Sequence, residues 1–148
     1  MDTLTKSQRS YCMARIRSKN TGPEKALIAE IRSRRIKGYR LHYNLPGKPD
    51  IYFRHARLAV FVDGCFWHGC PKCYVRPSTN RDFWTAKVKR NQQRAKNVTV
   101  ELRKKEVRII RLWEHQIRTS PAKCAERIQR CLSQWHDRKS SGSHRSVT

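Results

Sequence analysis

The chain has 148 residues, the length of one domain, and carries 34 Lys and Arg against 11 Asp and Glu, a formal net charge of +23. No apolar run approaches the ~20 residues a spanning helix needs, and the opening MDTLTKSQRSYC lacks the apolar segment of a secretory signal, so a cytoplasmic protein without a membrane partner is expected. Self-repulsion at +23 is relieved by a polyanion, which makes nucleic acid the first partner class; ribosomal proteins and basic tails share the same charge balance.

Residues 1–20 are polar and basic, with Met13 and Ile16 as apolar anchors, and read as a loosely packed arm before a folded domain over 21–137. Thr21-Gly22-Pro23-Glu24 combines an N-cap, an early-helix proline and an acid one turn in. Leu27, Ile28 and Ile31 share the face that follows, which predicts a helix over about 23–35, stopped by Gly38. Tyr39, Leu41 and Tyr43 alternate with Arg40, His42 and Asn44, the pattern of a half-buried strand. Pro46-Gly47-Lys48-Pro49 forces a turn, and residues 50–53 open a second strand. Residues 58–62 are apolar on both faces and suit the centre of a covered sheet. Gly64 breaks that strand, and a Cys/His/Trp loop occupies roughly 64–78. Thr79 is placed to cap a long helix to about 105, whose stripe of Trp84, Val88, Ala95, Val98 and Leu102 has a polar gap at Asn91. Residues 107–113 read as a strand. Ser120-Pro121 starts a last helix with the stripe Cys124, Ile128, Cys131 and Trp135, and the composition of 138–148 predicts a disordered tail. Helix, three strands, long helix, strand, helix is the order of a single α/β domain.

Six cysteines without an export signal argue against a disulfide scaffold. Cys12, Cys124 and Cys131 are scattered and read as small apolar fillers, whereas Cys65-x4-Cys70-x2-Cys73 has metal-ligand spacing. Zinc takes four soft or borderline donors, and a CxxC turn, here stiffened by Pro71, offers two thiolates on one loop. The fourth ligand is assigned to His115, at the end of the later strand, with His68 as the alternative. Unliganded loop thiols are the bland reading.

A second constellation is Pro49-Asp50 at one strand start, with Asp63 at the end of the next strand. Carboxylates at neighbouring strand ends can hold magnesium, which polarises a scissile phosphate and lowers the pKa of an attacking water. A PD dipeptide by itself is more often only a turn. The third is Gly64-Cys65-Phe66-Trp67-His68: its aromatics either stack on or wedge between bases, or else cap the sheet and shield the zinc. His68 is a zinc ligand, a general acid or base, or a satisfied loop histidine, and spacing does not choose among them.

LPGKPDIYF, VFVDGCFWHGCPKC, NRDFWTAKVKRN and RIIRLWEH, in that order, strongly resemble the Vsr family, the very-short-patch-repair endonucleases, over about residues 8–135. The resemblance implies a restriction-endonuclease-like (PD-(D/E)XK) fold, a central mixed β-sheet flanked by helices, with a structural zinc. It implies magnesium-dependent nicking of one strand beside a T:G mismatch left by deaminated 5-methylcytosine. It further implies duplex DNA as the partner of a monomer at the bacterial nucleoid, a link to a cytosine-5 DNA methyltransferase, and contact with mismatch-repair proteins.

By matched position, Asp50 corresponds to the metal-binding aspartate, the Val62 backbone carbonyl to a second metal contact, and His68 to the catalytic histidine. Glu24 corresponds to a supporting acid on the first helix, a role compatible with its place in the capping pattern. Met13, Phe66 and Trp67 correspond to intercalating residues, and Lys87 and Asn91 to residues that contact the mismatched pair. Two departures stand out. Val62-Asp63 replaces a Thr-His pair, so a carboxylate that can bind metal or orient water, and cannot clamp a phosphate as a cation, occupies a histidine position. The set Cys65, Cys70, Cys73 and His115 replaces one with histidine in the loop and cysteine after the strand, keeping four donors. Against the mismatch endonuclease stand a restriction or defence nuclease on the same scaffold, a zinc-containing DNA-binding module without catalysis, and a zinc ribbon that binds RNA.

Overall fold

A computed structural model describes Thr5 and residues 21–142. The first helix, α1 (Gly22–Ser33), begins where the capping pattern sets it: Thr21 Oγ1 accepts the Glu24 N–H at 3.4 Å, and Pro23 occupies the first turn. It ends before Gly38 because Arg35 turns the chain through a left-handed conformation (φ 56°), and Ile36 folds back so that its N–H meets the Ile31 carbonyl at 3.2 Å.

Four strands follow in spatial order β1-β2-β3-β4: β1 (Tyr39–Leu41), β2 (Ile51–Phe53), β3 (Leu58–Asp63) and β4 (Arg108–Trp113). The first two pairings are antiparallel, and β3 with β4 is parallel. The parallel pair needs a crossover, which α2 (Arg81–Lys104) supplies. After β4 come α3 (Glu114–Thr119) and α4 (Pro121–Gly142).

Alternation along the strands divides the core. Ile51, Phe53, Leu58, Val60, Ile110 and Leu112 face α1, α3 and α4, where Leu27, Ile31, Ile117 and Ile128 are fully buried. Tyr52, Ala59 and Phe61 face α2, against Leu102 and Val98. Helices thus cover both faces of a mixed sheet. A fully buried Leu or Ile contributes about 2–3 kcal/mol, so the three-helix side carries more of the stability.

Several sequence expectations need correction. The strand foreseen across 39–44 stops at Leu41, because His42 adopts a left-handed backbone (φ 49°); Leu41, on the edge strand, is exposed. Thr79 does not cap α2: Asn80 holds that position at φ 55°, with no side-chain cap bond. The short α3 was not foreseen, and His115 lies in its first turn rather than at a strand end; the Gln116 carboxamide oxygen accepts the Trp113 N–H at 2.9 Å and starts it. Residues 138–142, expected in the tail, continue α4, where Lys139 stands 5.4 Å from the Trp135 ring. The arm with Met13, Cys12 and Ile16, and residues 143–148, lie outside the described residues.

One turn residue is tightly specified. Gly47 has φ 76°, and a Cβ there would stand 2.5 Å from Val98 Cγ1 and 3.2 Å from Phe61. Gly47→Ala is expected to destabilise the protein by about 1–3 kcal/mol, read as a lowered denaturation midpoint. An unchanged midpoint would mean that this loop is free to move off α2.

Candidate active site and metal centre

Sheet register brings the chemistry to one end of the domain. Asp50 immediately precedes β2, and its Oδ2 accepts the Val62 N–H from β3 at 2.7 Å. In an extended strand the N–H and C=O of one residue point to the same side, so the Val62 carbonyl is directed toward the Asp50 edge. Asp50, Val62, Asp63 and His68 all line one cleft of about 710 Å³, whose far wall is Asn91, Arg94 and Ala95 of α2. Burial, reinforced by the nearby Glu24 and Asp63 carboxylates and opposed by the Val62 hydrogen bond, pushes the Asp50 carboxyl up to about 7.

Glu24 reaches the same edge from the first turn of α1, with a side chain that is 2% accessible. Its Oε1 lies 3.2 Å from His42 Nε2, yet both buried atoms lack a hydrogen-bond partner. One donor atom from each of Glu24, His42 and Asp50 falls within 4.8 Å of the others. His42 was not singled out from the sequence. As the polar member of an expected strand it gave no signal, and only the left-handed turn after Leu41 brings it to this group.

Asp63 ends β3 on the α2 side of the sheet. Arg111 Nη1 meets its two carboxylate oxygens at 3.0 and 3.4 Å, donates through Nη2 to the Ala95 carbonyl at 3.3 Å, and lies 4.4 Å from the Phe61 ring. Asp63 Oδ1 is also 3.9 Å from His68 Nε2. Burial holds the His68 imidazole below its ordinary 6.5, with Asp63 pulling it up and Arg111 pushing it down. His68 is therefore largely a neutral imidazole at neutral pH and can take a proton. Arg111 was also missed; it sits in an apolar-looking strand and acquires its role only through the Asp63–Trp113 register of the parallel pair.

The same register builds the second cluster. Cys65 and His115 each lie two residues past the paired Asp63 and Trp113, so the parallel strands deliver both to one point. His115 Nδ1 is 3.3 Å from Cys65 Sγ and 3.5 Å from Cys70 Sγ, and with Cys73 the four donor atoms lie within 4.8 Å. Burial, with the neighbouring sulfurs, pushes the Cys65 thiol up to about 11. At Cys70 the raising effect of burial is outweighed by hydrogen bonds from the Lys72 and Cys73 backbone N–H groups, leaving it below the ordinary range. Three sulfurs and one imidazole nitrogen with their donor atoms within 4.8 Å fit a site that a cation completes. This cluster could hold a metal ion, and His68 is not part of it. The bland role for Cys124 agrees with its place in the main core.

The loop between the two clusters is pinned to α2. Asn91 Nδ2 donates to the Trp67 carbonyl at 3.0 Å, and Gln92 Nε2 donates to the His68 carbonyl at 3.0 Å. The gap in the apolar stripe at Asn91 is thus a loop anchor in this structure. Phe66 packs at 5.2–5.8 Å between Trp67, Trp84 and Tyr74, Trp67 lines the cleft, and Lys87 Nζ lies 5.6 Å from the Trp67 ring.

Among the described residues, no helix is long and apolar enough to cross a membrane. The family model for DNA mismatch endonuclease Vsr matches residues 1–74. Among curated relatives, the type II nicking enzyme V.NmeDIP of Neisseria meningitidis serogroup C is 35% identical over 89% of this chain and 90% of its own length. The type II nicking enzyme V.NaeI of Lentzea aerocolonigenes is 39% identical over 73% of this chain and 68% of its own. DNA mismatch endonuclease Vsr of Escherichia coli (strain K12) is 29% identical over 90% and 86%. With the cleft, the cysteine cluster and these relatives together, the chain belongs to the Vsr family and is a DNA endonuclease, a hydrolase.

Proposed function

We propose that this enzyme nicks one strand of duplex DNA beside a T:G mismatch, the lesion left by deaminated 5-methylcytosine, and so starts very short patch repair. The observation that carries the chemistry is that Asp50 and His68 line one cleft of a strongly basic chain, with Glu24 grouped beside Asp50. Glu24 and Asp50, with the Val62 carbonyl, form an oxygen-rich edge with orphaned buried acceptor capacity, which fits a divalent cation such as magnesium. When bound there, that ion would supply charge stabilisation to the scissile phosphate.

The chain's own residues do the rest. Asp50 anchors the edge through the Val62 N–H. His68, neutral because it is buried, keeps its Nε2–H toward Asp63, accepts a proton from the attacking water at Nδ1 and returns it to the leaving oxygen. Asp63 orients His68, and Arg111 holds Asp63 against the cleft wall. Phe66 and Trp67 enter the base stack from one groove and Met13 from the other, with Lys87 and Asn91 at the mismatched pair. Unstacking costs a few kcal/mol and is cheaper at a weakened pair, so deformability selects the site.

The cysteine cluster is read as a structural zinc site, since four protein donors leave no open position for substrate. The helix-covered mixed sheet, with Asp50 at the head of β2, is read as a restriction-endonuclease-like (PD-(D/E)XK) core. An asymmetric mismatch requires only a monomer. The lesion's origin implies a cytosine-5 DNA methyltransferase as functional partner and mismatch-repair proteins downstream, in the cytoplasm at the nucleoid.

Nicking of one duplex carrying T:G or C:G at the same position tests the reading, with magnesium and with EDTA. The T:G duplex is expected to be cut about 100-fold faster, the equivalent of a few kcal/mol of unstacking. Equal cutting would identify a restriction or defence nuclease instead, and no cutting of either a DNA-binding module.

A further inference from the structure

His42 enters the cleft by an unusual route. Its backbone is left-handed (φ 49°), and its N–H donates to the Asp50 carbonyl at 3.3 Å, which ties the turn after β1 to the metal-binding edge. The imidazole then faces inward, with Nε2 3.2 Å from Glu24 Oε1 and both atoms buried without a hydrogen-bond partner. At that distance without hydrogen-bond alignment, the two atoms leave each other's polar capacity unmet. Asp50 lies in the same group, all within 4.8 Å, and its Oδ2 is already engaged by the Val62 N–H, leaving the other oxygen available. A buried Glu24 carboxylate and a buried imidazole nitrogen, beside the half-buried Asp50 carboxylate at the cleft wall, are costly to leave uncompensated.

We propose that His42 is a direct metal ligand through Nε2, and that with Glu24 and Asp50 it makes a mixed nitrogen–oxygen site that takes Mn²⁺-class cations in preference to Mg²⁺. The proposal rests on the reading of this cleft as the nuclease metal site and specifies its donor set. Magnesium favours oxygen donors and retains its waters. An imidazole nitrogen adds little for magnesium and considerably more for manganese, iron or cobalt, whose affinity for nitrogen rises along the first transition row.

The test uses the full chain with its cysteine cluster loaded with zinc, so that only the cleft binds added cation. Mn²⁺ is titrated and followed by electron paramagnetic resonance, Mg²⁺ by competition, and directly bound nitrogen by pulsed measurement of ¹⁴N coupling. The wild-type protein is expected to hold Mn²⁺ about tenfold or more tighter than Mg²⁺ and to show ¹⁴N coupling. His42→Ala should lose both the coupling and the preference, whereas His68→Ala, which removes the other imidazole of the cleft, should keep the coupling. Mn²⁺ bound without ¹⁴N coupling in the wild type, or coupling that survives His42→Ala, overturns the proposal and leaves the metal-site reading standing. Absence of any Mn²⁺ binding sensitive to Asp50→Asn overturns that reading as well. The wild-type spectrum decides even if the His42 variant folds poorly.

Discussion

Asp50→Asn is expected to lower nicking by about 10³-fold or more, the loss that follows removal of one preorganised charge-stabilising group, while duplex binding stays within a few-fold of wild type. Binding is carried by the +23 charge spread over the chain, and one carboxylate contributes little to it. The same substitution has an opposite effect on stability. The folded Asp50 carboxyl sits near 7, against 3.8 ordinarily. Below pH 3.8 both folded and unfolded chains hold the proton, and nothing is lost. Between 3.8 and 7 the unfolded chain ionises first, so stability falls as pH rises, and above 7 the deficit is constant at about 2–4 kcal/mol. Without divalent cation, Asp50→Asn should therefore be more stable than wild type at pH 8 and close to it at about pH 3, below the unfolded value. Adding cation should reverse the order at pH 8, because ligand binding stabilises only the protein that retains the carboxylate. Denaturation curves at the two pH values, with and without cation, check this. Wild-type nicking by the variant would remove Asp50 from the chemistry.

His115→Ala is expected to strip the metal from the cysteine cluster and lower the melting temperature by about 10 °C, equivalent to about 3 kcal/mol in a chain of this length. His115 joins the first turn of α3 to the loop that carries Phe66, Trp67 and His68, so the loss should loosen the aromatic group and reduce its near-ultraviolet circular dichroism. Metal analysis of the purified wild-type protein should find about one zinc per chain, as a closed four-donor site requires. Cys124→Ser is the control, since that thiol lies in the main core away from the cluster and its loss should leave zinc content unchanged. A His115 variant that keeps its zinc and its melting temperature would show that the fourth donor lies elsewhere.

The elements with strong local signals were legible. The capping pattern at Thr21, the apolar run of β3 and the stripe of α2 each depend on neighbours within a few residues, and each forms within a residue or two of its expected place. The Cys65-x4-Cys70-x2-Cys73 loop was legible for the same reason. The missed features depend on single backbone conformations. The left-handed residues Arg35, His42 and Asn80 carry no marker of the kind a glycine provides, and they shortened α1, ended β1 and displaced the α2 cap.

From composition and spacing alone came the basic charge that calls for a polyanion, the three thiolates of one loop, and a carboxylate at the head of a strand. Those are properties of short windows, and local chemistry is sufficient for them. The register that carries His115 to the thiolates, which histidine faces Asp50, and that Arg111 holds Asp63 were decided by tertiary structure. Each is set by strand register and by which strands run parallel: pairing Asp63 with Trp113 carries Cys65 to His115, and leaves His68 free on the other side of the loop. Register is a cooperative property of the whole sheet, because a slip by one residue would turn every side chain to the opposite face.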